Sequence, residues 1–130
     1  MPRKQWWRSA VRTNGKRSSF EATLVSDLEF RGLDFEYEPK DNHLTYMLEY
    51  IPDFRLPNGI LVEAKGYFDP TDRTKMLRVK QANPEADIRF VFMANNKINP
   101  RSATRYSDWC DKHGFKWHVG RSIPEEWWHE

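Results

Sequence analysis

The run from Ile51 to Gly66 constrains the fold more than any other stretch, because Pro57-Asn58-Gly59 separates two apolar runs with the residues a tight β-hairpin needs. A three-residue loop with Gly59 in the left-handed conformation sets the register. Leu56 then faces Ile60, Arg55 faces Leu61, Phe54 faces Val62 and Asp53 faces Glu63. Period-two alternation puts Phe54, Leu56, Ile60, Val62 and Ala64 on one side and Asp53, Glu63 and Lys65 on the other. Like charges opposite one another on a sheet cost up to about 1 kcal/mol when exposed and more when desolvated. A hard divalent cation with oxygen ligands neutralises such a pair, and Mg²⁺ is typically held by one or two carboxylates with water and substrate phosphates. Lys65 stands two residues beyond Glu63, where its ammonium reaches an attacking water or a phosphate under attack. The competing reading is a solvated hairpin face whose Glu63 and Lys65 pair with neighbours. The turn and the strict alternation weigh against it.

A chain of 130 residues is the size of one domain with one real core. Hydrophobic content of 38% suits a folded protein, while 31% charged residues and no long apolar stretch argue against a membrane protein. No secretory signal is visible, and the one cysteine, Cys110, fits a reducing compartment and plain core packing. The net charge of +2 conceals a segregation. Residues 1–17 carry Arg3, Lys4, Arg8, Arg12, Lys16 and Arg17 without an acid, leaving 15 basic against 19 acidic residues in the body. A basic, flexible arm on an acidic body (residues 18–130) suits a polyanionic partner, with Trp6 and Trp7 as stacking faces. The alternative is a solubilising tail or an expression remnant.

A helix is expected from Ser18-Ser19 to about Arg31, stopped by Gly32. Phe20, Leu24, Val25 and Leu28 form its apolar stripe, and Glu21 falls inside that stripe. Two readings of Glu21 stand side by side: a capping box with Ser18, or a carboxylate aimed at a site. Asp34 to Glu38 reads as a short strand and Thr45 to Ile51 as a second β-rich run, making a meander whose last strand, Ile60 to Lys65, is central. Asp69-Pro70 starts a second helix that ends at Asn83-Pro84, with Arg73, Lys75, Arg78 and Lys80 along it. Ile88 to Met93 is a buried strand beside Ile60 to Lys65, linked through that helix by a right-handed crossover. Asn95 to Pro100 is a loop, Ser102 to His113 a helix capped by Ser102, Phe115 to His118 an edge strand, and Ile123 to Trp128 a helical turn.

Other chemistries find little support. His43, His113, His118 and His129 lack zinc-ligand spacing. Asn14-Gly15-Lys16 lacks the earlier glycine of a phosphate loop, and neither Ser107 nor Cys110 sits at a nucleophile elbow.

What remains is Glu21 on a helix, Asp53 in a hairpin and Glu63-Ala64-Lys65 on the next strand. This order resembles the PD-(D/E)xK nuclease superfamily. More closely, RSSFEATLVSDLEFRGLDFEYE, IPDFRLPNGILVEAKG, DIRFVF, DKHGFKW and IPEEW, in that order, resemble the bacteriophage endonuclease I family, the Holliday-junction resolvases of short-tailed phages. The resemblance implies an α/β fold with a mixed central sheet flanked by helices, in an intertwined homodimer that exchanges N-terminal elements. It implies that Asp53, Glu63 and the Ala64 carbonyl hold catalytic metal, that Glu21 of the other subunit completes a second metal's surroundings, and that Lys65 positions the attacking water. Two Mg²⁺ per site, with Mn²⁺ as a substitute, would then support hydrolysis of branched DNA in the cytoplasm of an infected bacterium, with no membrane and no small-molecule cofactor. The basic arm would follow the junction arms. The family usually has a hydroxyl residue where this chain has Ala64. Two rivals remain: a superfamily nuclease cutting linear duplex, ends or mismatches, and a non-catalytic DNA-binding module.

Overall fold

The computed structural model describes residues 19–41, 44–45 and 49–130. The six cations of the basic arm, Ser18 with its capping box, and His43 lie outside the described residues. Helix α1 (Ser19–Arg31) leads to β1 (Glu36–Tyr37), β2 (Leu44–Thr45), β3 (Glu49–Tyr50), β4 (Phe54–Arg55) and β5 (Leu61–Lys65). Helix α2 (Pro70–Ala82), β6 (Ile88–Phe92), α3 (Tyr106–His113), β7 (Lys116–Val119) and a 3₁₀ helix (Glu125–His129) follow. The main sheet runs β1-β4-β5-β6-β7. Its β1/β4 and β4/β5 pairs are antiparallel, whereas β5/β6 and β6/β7 are parallel, so the sheet is mixed as expected.

The hairpin has the anticipated register: Phe54 pairs with Val62, Arg55 with Leu61, and the Leu56 amide donates to the Ile60 carbonyl at 2.8 Å. Gly59 sits at φ +93°, a conformation that a side chain would strain. The alternation of β4 and β5 then sorts residues between two cores, one on each face. Phe54, Leu56, Ile60, Val62 and Ala64 join α1's Phe20, Leu24, Val25 and Leu28 on one face, closed by Ile123 and Trp127. Leu61, Phe90 and Phe92 face Phe68, Met76 and Val79 of the α2 side and Tyr106, Trp109 and Cys110 of α3. Burial, reinforced by the charge of Asp111, pushes the Cys110 thiol well above its ordinary pKa. No helix among the described residues is long and apolar enough to cross a membrane.

Three local expectations are corrected. Thr45 to Ile51 does not extend the meander: Glu49–Tyr50 pairs with Leu44–Thr45 as a separate two-stranded sheet, because β1 already occupies the free edge of β4. The strand expected over Asp34 to Glu38 narrows to Glu36–Tyr37, since Glu38 turns to φ +49°. Helix α3 begins at Tyr106 rather than Ser102. The Ser102 hydroxyl accepts from the Thr104 amide at 3.0 Å, and a Lys97–Arg105 bridge holds the segment before Tyr106 extended, so the local capping preference of Ser102 is overridden.

Candidate active site

Because β4 runs antiparallel to β5, Asp53, just before its start, lies beside the last residues of β5, Glu63, Ala64 and Lys65. One Asp53 carboxylate oxygen accepts from the Ala64 amide at 2.9 Å. Glu63 is 4% exposed, an unusual depth for a carboxylate, and its Oε1 accepts from the buried Tyr50 hydroxyl. The Asp53 and Glu63 carboxylates lie close enough for the charge of Glu63 to act on Asp53.

The electrostatics follow from that crowding. Burial pushes Asp53 well above the usual carboxylate range, and the charges of Glu63 and Glu21 add to it against the Ala64 amide and Lys65. Burial likewise raises Glu63, with Lys65, Tyr50 and Lys75 pulling back. Burial and the charge of Glu63 hold Tyr50 in its phenol form. Burial works against the Lys65 ammonium, but Glu63, Asp72 and Asp53 outweigh it and keep Lys65 above its ordinary pKa. Its Nζ lies 3.3 Å from the carboxylate of Asp72 in the first turn of α2, which Asp69 caps by accepting from the Asp72 amide.

Glu21 reaches the same neighbourhood within one chain. Its carboxylate accepts from Tyr37 Oη at 2.8 Å, and its charge is felt at Asp53. Among the described residues, however, no three His, Cys, Asp or Glu side chains form a ready metal cage. Asp53 and Glu63 are a pair, with Glu21 held at its side by Tyr37. The six arm residues proposed for nucleic-acid contact, from Arg3 to Arg17, cannot be placed because they lie outside the described residues.

Sequence reasoning missed Tyr50, Asp72 and Lys75. Lys75 stands 5.8 Å from the Tyr50 ring centroid and acts electrostatically on Glu63. A signal existed for Asp72 alone: the Asp69-Pro70 start puts it in a first turn just beyond Lys65.

A buried Glu63 and a partly buried Asp53 beside a retained ammonium, at the strand ends of a mixed α/β sheet, suit the handling of an anionic substrate. Comparison with known proteins gives the class, a family of nucleases. The phage endonuclease I family model matches residues 3–130, and the chain belongs to that family. It is similar to Endonuclease I of Escherichia phage T7, at 42% identity over 120 residues, covering 85% of this chain and 76% of that protein. It is also similar to Endodeoxyribonuclease 1 of Enterobacteria phage T3, at 42% identity over 107 residues, covering 75% of this chain and 67% of that protein.

Proposed function

We propose that the protein is a divalent-metal-dependent endodeoxyribonuclease that resolves four-way junctions and other branched DNA by paired phosphodiester hydrolysis. The observation that carries this reading is the placing of the partly buried Asp53, which accepts from the Ala64 amide, beside the buried Glu63 and the Lys65 ammonium, with both carboxylates pushed up and Lys65 kept charged. Such a pair is poorly satisfied by the chain's own groups and is a fitting donor set for a hard cation. Asp53, Glu63 and the Ala64 carbonyl would hold one Mg²⁺ or Mn²⁺, and Glu21 would complete the surroundings of a second. Bound there, the cations would supply Lewis-acid stabilisation of the pentavalent phosphorus and its leaving oxygen.

The chain's own residues account for the rest. Lys65, kept protonated by its acidic neighbours, serves as a cation and hydrogen-bond donor to the attacking water or a non-bridging oxygen, not as a general base. Asp72 restrains its direction, and Tyr50 fixes the rotamer of Glu63. A homodimer exchanging α1 and β1 would remake the Glu21 approach to Asp53 between subunits and present two sites to two strands. The name of the T3 relative, an endodeoxyribonuclease, supports a DNA substrate, and the reading sets the work in the cytoplasm of an infected bacterium.

The test is a labelled four-way junction incubated with and without Mg²⁺ and resolved on a denaturing gel, beside a linear duplex of matching sequence. Paired nicks in the junction alone, with Mg²⁺ required, are expected. Equal cutting of the duplex would move the protein to a general nuclease. Binding with no nick at any metal concentration would make it a non-catalytic module.

A further inference from the structure

The acidic pair sits where β5 ends, and the same edge of the sheet carries a feature that the acids and Lys65 do not use. Lys65 pairs with Phe92 across parallel strands, and the Met93 amide donates to the Lys65 carbonyl at 3.0 Å. The loop leaving β6 therefore emerges beside the end of β5. Between Asp87 and Asp108 the chain has no acidic residue, and the loop presents Lys97, Arg101 and Arg105, all exposed. Neither Lys97 nor Arg101 has an acidic partner among the described residues.

This loop is also stiff. Asn95 ties it to α3 twice, donating to Ser107 Oγ at 2.8 Å and accepting from the Ser107 amide at 3.0 Å. The Arg105 guanidinium donates to the Asn95 carbonyl at 2.9 Å, and the Ile98 amide to the Thr104 carbonyl at 2.9 Å. The Arg101 amide adds a bond to the Asn99 side chain at 2.9 Å. Cations on a preorganised loop lose little backbone entropy when they meet a ligand. The opposite end of the sheet has the reverse sign: a cavity of about 640 Å³ there is lined by Glu36, Asp41, Glu85 and Asp87, with Arg55 as its one cation. A polyanion lying across the acidic pair is repelled at that end and welcomed at the loop.

We infer that the loop from Asn95 to Arg105 is a phosphate-backbone clamp, in which Lys97 and Arg101 hold a DNA strand leading into or out of the site while Arg105 braces the loop. The inference rests on the nuclease reading above and adds a contact surface on the body, separate from the N-terminal arm. Phosphate contacts of this kind position a strand without reading its sequence.

The experiment uses the full chain with Lys97→Ala/Arg101→Ala, a fluorescent four-way junction and a matching linear duplex, with EDTA present so that no strand is cut. Loss of two phosphate contacts lowers the slope of log affinity against log salt by about 2, so the variant's deficit differs about tenfold between roughly 50 and 200 mM salt. Both DNAs should show it, and Lys97→Arg/Arg101→Lys should restore it. A thermal melt matching wild type excludes a folding defect, and Lys97→Gln/Arg101→Gln replaces the alanine pair if it melts early. Wild-type slope and affinity in the folded variant would overturn the clamp. Cleavage with Mg²⁺ is scored separately, so wild-type protein that binds but never cuts would sink the nuclease reading and leave the clamp standing.

Discussion

Two clusters of buried charge lie at opposite ends of one sheet and have opposite characters. At the start of β6, Arg89 is 2% exposed, yet all its nitrogens are used: it forks onto Asp87 at 2.8 and 2.9 Å and onto Glu130 with two contacts of 2.8 Å, 5.2 Å from the Trp127 ring centroid. Its hydrogen bonds to Glu130 and Asp87 raise Arg89 further, and the same contact pulls Glu130 down to about 2. One guanidinium there has a carboxylate on each side. At the end of β5 a buried and a partly buried carboxylate stand together and both are pushed up. That contrast, one buried charge fully satisfied and another pair raised, supports the proposed site at the end of β5.

The largest expected effect breaks the strained end. Glu63→Gln or Lys65→Ala should lower cleavage of a labelled junction by about 10³-fold or more while binding in EDTA stays near wild type. Equal cleavage by these variants would remove the site assignment. At the satisfied end the cost falls on stability instead: Arg89→Ala should lower the urea midpoint, because a side chain only 2% exposed leaves its packing against Trp127.

Titration sharpens the contrast, since the two ends have opposite signs. Asp53 has a folded pKa above the ordinary aspartate value, so the favourable linkage is present below that ordinary value and disappears as pH rises through the folded one. Metal-free protein should thus lose stability relative to Asp53→Asn as pH rises above the ordinary carboxylate range, and Mg²⁺ should reverse the loss by binding only the native state. Glu130, lowered from 4.5 to about 2, contributes stability that is complete above the first value and vanishes as pH falls through the second. Melting curves of Asp53→Asn and Glu130→Gln across pH should diverge from wild type in opposite directions. Tyr50→Phe, which removes one hydroxyl from Glu63, should cost about tenfold in cleavage and leave the fold intact. The smallest effect belongs to Lys116→Ala: Lys116 and Glu130 are 65% and 41% exposed at 3.4 Å, and no change in melting temperature should be measurable.

What could be read from the chain beforehand was what neighbours in sequence decide. Pro57-Asn58-Gly59 and the alternation around it specify the β4/β5 register, and Asp69-Pro70 and Gly114 mark helix ends, because each acts within a few residues. Asp53, Glu63 and Lys65 were found because that local register brings them together. Tyr50 and Asp72 were not, since their approach to Glu63 and Lys65 depends on where β3 and α2 dock. Ser102 misled for the same reason: its hydroxyl is a good cap, but the distant Asn95–Ser107 contacts and the Lys97 bridge decide where α3 starts. Glu21 left two local readings open, and Tyr37, from another element, places it near Asp53.

The sealed environment of Cys110 has a practical consequence. A thiol in the same buried cluster as Phe68, Trp109 and Phe115, with its pKa pushed up, should be unreactive toward maleimides, which a labelling assay on the native protein checks. Dyes can therefore be attached at single cysteines introduced on the surface, at Ala103 beside the clamp for instance, with no background from the native sulfur. Fluorescence transfer to a labelled junction arm would then report where each strand runs over the body.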